Sequence, residues 1–99
     1  MYVILTSKPG QYRTEITAGV RPVESYNYIY YGNCKARFVI AELISPAKIV
    51  VTDETPPQVV NHIPTKFFQQ FSTVEEARVQ LQDLTRQGDP QIALVPARV

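Results

Sequence analysis

The sequence predicts an α+β fold: an antiparallel, strongly twisted or partly closed β-meander of five to six strands, with one long helix from the second half of the chain packed on it. Three observations carry that expectation. Short runs rich in Val, Ile, Tyr and Thr alternate with Pro- and Gly-containing breaks through the first half, as antiparallel strands and turns do. Gly32-Asn33 lies between two such runs as a two-residue hairpin signal. Ser72-Thr73-Val74-Glu75 opens a segment whose apolar residues recur every three or four positions, the pattern of an amphipathic helix. A helix with one apolar stripe must cover something, and the apolar side of the sheet is the partner on offer.

Met1 to Ser7 reads as the first strand and Tyr12 to Thr17 as its return. Lys8-Pro9-Gly10-Gln11 between them suits a type II turn, with Pro second and Gly third. Ala18-Gly19-Val20-Arg21-Pro22 punctuates, and the central hairpin follows, Val23 to Tyr30 and Lys35 to Leu43. Ser45-Pro46 breaks its second strand. Ala47 to Thr52 reads as another, stopped by Asp53-Glu54-Thr55-Pro56-Pro57.

Gln58 to Ile63 is a weaker strand, and Pro64 to Phe71 is irregular. Such backbone would let both Phe67 and Phe68 tuck under the helix, while an exposed ring would add to an interaction patch. The helix is expected from Thr73 to Gln87, with Ser72 as N-cap and Glu75 reaching back to it. Val74, Ala77, Leu81 and Leu84 form its stripe, Arg86 lies in its last turn and Gly88 ends it. Gln91 to Val95 resumes a strand between Pro90 and Pro96. It carries no charge, so it is expected inside the sheet beside another strand, because exposed edges are usually protected by charge, proline or another chain.

At 99 residues the chain makes one domain, residues 1–99, with a single modest core. Its 44% hydrophobic content, six Tyr and four Phe belong to a folded globular chain. The net charge of +1 steers the whole molecule toward neither nucleic acid nor an anionic membrane. Cys34, the only cysteine, excludes an intramolecular disulfide and any cluster held by several thiolates of one chain. The first ten residues lack a basic leader, and no run approaches the roughly 20 apolar residues of a membrane span. These features point to a soluble cytoplasmic protein with no membrane partner.

The hairpin carries the candidate site. If Gly32-Asn33 forms a type II′ turn, Tyr30 lies opposite Lys35, Tyr28 opposite Arg37 and Tyr26 opposite Val39, all on one face, while Ile29, Ala36, Phe38 and Ile40 form the other. Tyr26, Tyr28, Tyr30, Lys35 and Arg37 then make a face of stacking rings and cations. The same residues also suit a purely structural role, since tyrosine is a good strand former and cross-strand Tyr and cation pairs stabilise a sheet by about 0.2–1 kcal/mol each.

Other chemistry is thinly represented. His62 lacks ligand spacing, Asp53 and Glu54 read as a loop start, and Cys34 has no resolving or activating partner beyond Lys35. Neither Lys8-Pro9-Gly10 nor Gly32-Asn33 is a phosphate loop, because neither precedes a helix. With no catalytic constellation, no metal site and no cofactor indicated, the sequence favours a small non-enzymatic binding or accessory protein. It would act through the Tyr/Lys/Arg face or a sheet edge, on an unknown protein partner or by self-association. The alternatives are binding of single-stranded nucleic acid on that face, and a small enzyme or binder of an aromatic or carboxylic molecule that uses Tyr28 or His62.

Overall fold

The computed structural model describes residues 1–85 and 92–98. The fold is α+β with antiparallel strands and one long helix, as expected. Among the described residues there are seven strands, β1 (Tyr2–Ser7), β2 (Tyr12–Glu15), β3 (Val20–Tyr30), β4 (Asn33–Leu43), β5 (Lys48–Asp53), β6 (Val60–Pro64) and β7 (Ile92–Ala97). A 3₁₀ turn (Thr65–Phe67) and the helix α1 (Val74–Thr85) lie between β6 and β7. No helix among them is long and apolar enough to cross a membrane.

The strands form two sheets, ordered β1-β4-β3-β7 and β2-β5-β6, so the chain is not a simple meander. The Lys8–Gln11 turn forms with Gly10 at φ 81° and Gln11 donating to the Lys8 carbonyl at 2.9 Å. Beyond it, however, β1 and β2 diverge. β1 joins β4, with Val3 opposite Ala41 and Leu5 opposite Val39, while β2 joins β5. Leaving the turn this way lets β1 bury residues on both of its faces.

One core lies between the larger sheet and α1, where Ala36, Phe38 and Ile40 of β4 meet Phe71, Ala77 and Leu81. The other lies between the two sheets, where Val3, Leu5 and Ala41 meet Ile49, with Val51 and Phe68 at its margin. The irregular segment therefore sends Phe68 and Phe71 into different cores. Phe67 stays 72% exposed, with the Lys66 ammonium over its ring, so the expected tucking of both adjacent rings does not occur.

The hairpin turn is Tyr31-Gly32 and not Gly32-Asn33. Both central residues have positive φ, 49° and 77°, which is the type I′ arrangement, and Tyr30 pairs with Asn33. Tyr28 lies opposite Ala36 and Tyr26 opposite Phe38, so the expected pairs of Tyr28 with Arg37, Tyr30 with Lys35 and Tyr26 with Val39 are not made. Magnitudes explain the choice. A left-handed tyrosine costs about 1–2 kcal/mol, whereas each large apolar side chain moved from water into the core gains about 1.5–3 kcal/mol. The observed register puts Tyr26 and Tyr28 on the core side with Ala36, Phe38 and Ile40, and a one-residue slip would turn them out.

The helix begins one residue later than the sequence suggests. Thr73 is its N-cap, its hydroxyl accepting from the Glu76 amide at 3.1 Å, while the Glu76 carboxylate accepts from the Ser72 amide at 2.9 Å. The capping pair is thus Thr73 and Glu76, with Ser72 contributing only its backbone. Thr73→Ala is expected to cost about 0.5–2 kcal/mol in urea unfolding and Ser72→Ala a few tenths at most. Equal costs for the two would contradict this cap. Ala77, Leu81 and Thr85 face inward, and the Thr85 hydroxyl donates to the Leu81 carbonyl at 2.8 Å. Leu84, expected in the stripe, is 56% exposed because Thr85 takes the inward position. The expected roles of Arg86, Gln87, Gly88, Pro90 and Gln91 lie outside the described residues.

Candidate functional site

Of the five hairpin residues expected to share one face, the structure brings Tyr28 and Lys35 together and separates the rest. Lys35 is the extra residue of a β-bulge, since Tyr28 pairs with Ala36 and Ile29 with Cys34. A bulge re-aims the side chain it carries. Lys35 here lines a cleft of about 390 Å³ with Tyr28, on the helix side of the sheet. Lys8 and Gln11, from the β1–β2 turn, supply further polar lining, and Ala36, Phe38 and Leu84 the apolar part. In the sequence Lys8 and Gln11 signal a turn and nothing more. Their place beside Lys35 follows from β1 pairing with β4, with Ser7 opposite Arg37, which no local signal announces.

Arg37 projects to the opposite face, where its Nε donates to Asn27 Oδ1 at 3.2 Å. It borders a different cleft, of about 590 Å³, with Arg13, Cys34 and Glu54. Tyr30 sits near the hairpin end, its ring edge-on to Tyr31 with centroids 4.5 Å apart. Tyr26 lies under the helix. Its hydroxyl donates to Glu24 Oε1 at 2.7 Å, and Glu24 in turn accepts from Arg78 of α1, through Nε at 2.8 Å and again through Nη2. The Arg78 hydrogen bonds hold the Glu24 carboxyl down at about pKa 2, against the partial burial that works the other way. Burial, with the bond to Glu24, raises the Tyr26 phenol. This cluster pins the helix to β3. The cavity beside it, about 60 Å³, has no room for more than a water or two.

The continuous tyrosine and cation face therefore does not form. His62 is exposed on β6 opposite Val50, Cys34 is exposed, and no group of three His, Cys, Asp or Glu among the described residues could hold a metal.

The second candidate is a sheet edge. The Leu43 amide donates to the Met1 carbonyl at 2.8 Å, so odd-numbered residues of β4 aim their backbone at β1 and even-numbered ones at β3. Carried across β3, this alternation bonds Ala93, Val95 and Ala97 to β3 and turns the backbone groups of Ile92, Leu94 and Pro96 outward. Pro96, with no amide to offer, suits that position. β7 is thus an edge strand and not the interior strand expected from its lack of charge. The other edge of the same sheet is covered near both ends of β1. Tyr2 and Phe71 exchange backbone hydrogen bonds at 2.7 and 2.8 Å, and the Thr14 hydroxyl donates to the Thr6 carbonyl. Along β7 the described residues place no such cover. Compared with known protein families, curated proteins and solved structures, the chain matches none.

Proposed function

We propose that the protein is a small non-enzymatic binding module that works by pairing its β7 edge with a second chain, in the first place another copy of itself. The contrast between the two edges of the larger sheet carries this reading: β1 is covered by Phe71 and Thr14, whereas Ile92, Leu94 and Pro96 present unpaired backbone along a strand with no charge. Antiparallel pairing about a two-fold axis satisfies the same groups on both copies at once. Val95, 44% exposed, then lies close to its counterpart on the second copy.

Sedimentation equilibrium from tens of micromolar to about a millimolar tests this. The expected result is a dimer for the unaltered protein and a monomer for Val95→Lys, because like charges meet at the two-fold axis. Val60→Lys, on the exposed edge strand of the smaller sheet, is the control and is expected to leave the dimer intact. A monomer at every concentration, or a dimer lost with Val60→Lys and kept with Val95→Lys, overturns the proposal.

A further inference from the structure

We infer that the cleft beside the β1–β2 turn binds a small aromatic anion, its oxyanion held between Lys8 and Lys35 and its ring against Phe38 and Leu84. The site is independent of the β7 edge. Five polar residues line it among those described; Thr85 spends its hydroxyl on the Leu81 carbonyl, which leaves four, Lys8, Lys35, Tyr28 and Gln11. None of the four makes a hydrogen bond or ion pair with another described side chain. Four arginines of the fold differ in this respect. Arg13 pairs with Glu15, Arg21 with Glu42, and Arg78 with Glu24 and Glu75, while Arg37 donates to Asn27.

Among the described residues no Asp or Glu lines this cleft, so its two positive charges have no counter-ion among the described lining residues. The bulge is what places one of them there, because in a regular ladder Lys35 and Ala36 would point to opposite faces. Phe38 is buried beneath the cleft and Leu84 is 56% exposed at its side, which leaves an apolar surface directly beside the charges. At about 390 Å³ the volume suits a single-ring molecule, and a handful of convergent polar groups over an apolar floor is the usual make-up of a small-molecule site. A carboxylate or a phosphate supplies the shared chemistry, an oxyanion able to accept charge-assisted hydrogen bonds from both lysines and a further one from Tyr28.

The experiment titrates benzoate and phenyl phosphate separately into the ¹⁵N-labelled protein, with benzyl alcohol and inorganic phosphate as the ring-only and anion-only probes. Saturable amide shifts are expected at Gln11, Tyr28, Ala36 and Leu84 with at least one of the two aromatic anions, and whichever saturates identifies the oxyanion. The Lys8→Gln, Lys35→Gln double variant should bind at least about tenfold more weakly, and Tyr28→Phe measurably more weakly. Lys48→Gln, which alters a lysine outside the cleft, should bind as the unaltered protein does. An unchanged spectrum away from the cleft confirms that the double variant is folded. The inference is overturned if neither aromatic anion saturates by about 10 mM, if the double variant binds as tightly as Lys48→Gln, or if inorganic phosphate binds as well as phenyl phosphate.

Discussion

Leu81→Ala is expected to cost about 2–5 kcal/mol of folding free energy. Leu81 is 1% exposed and meets Phe38, Ile40 and Ala77 in the core between the helix and the larger sheet. Truncation removes the transfer free energy of the lost carbons and leaves a void that neighbours from two different elements cannot both move to fill. A domain of this size has about 5–15 kcal/mol in all, and each kcal/mol moves its melting temperature by about 4–8 °C. Leu84→Ala, one turn on and 56% exposed, should stay within about 0.5 kcal/mol. Urea unfolding of the two variants separates the observed helix rotation from one in which Leu84 is a core residue. Comparable losses would mean that the helix docks on a different face.

The elements of this fold were legible wherever a local device specifies them. The Lys8–Gln11 turn needs a positive φ at its third position, and Gly10 supplies it. The strand runs and the helix follow from two different hydrophobic periods. Strand order was not legible, because the partner of β1 is chosen by burial on both of its faces, Val3 and Leu5 on one and Ile4 on the other, and not by the turn that follows it. The hairpin register failed for a related reason. Tyr31-Gly32 and Gly32-Asn33 are both chemically acceptable turns, and only the combined burial of Tyr26 and Tyr28 with Phe38 and Ile40 decides between them. The site fared the same way: Tyr28 and Lys35 do meet, but through a bulge that two-residue alternation cannot anticipate, while Lys8 arrives from a turn 27 positions earlier in the chain.

Acidification should expose the clamp between the helix and β3. The folded protein holds the Glu24 carboxyl at about pKa 2, against an ordinary 4.5, because Arg78 donates to it. Between those values the unfolded chain binds more protons than the folded one, so stability falls as pH falls. Glu24 therefore contributes stability that is fully present above about pH 4.5 and lost as the pH drops through about 2. Solvent limits the size of the effect, since the Arg78 side chain is 38% exposed. Tyr26 acts at the other end. Its raised phenol contributes below the ordinary value of 10 and loses that contribution as the pH rises through its higher folded value. Glu24→Gln should flatten the acid limb of a stability profile measured by urea unfolding between about pH 5 and pH 2, while lowering stability near neutrality. Arg78→Met supplies the second test, because it removes the cause while keeping the carboxyl. In that variant the Glu24 carboxyl, followed by ¹³C NMR, should titrate well above its position in the unaltered protein. If Glu24 titrates at the same pH in both, Arg78 is not what holds it ionised, and the link between helix and sheet rests on the apolar contacts of Ala77 and Leu81 alone.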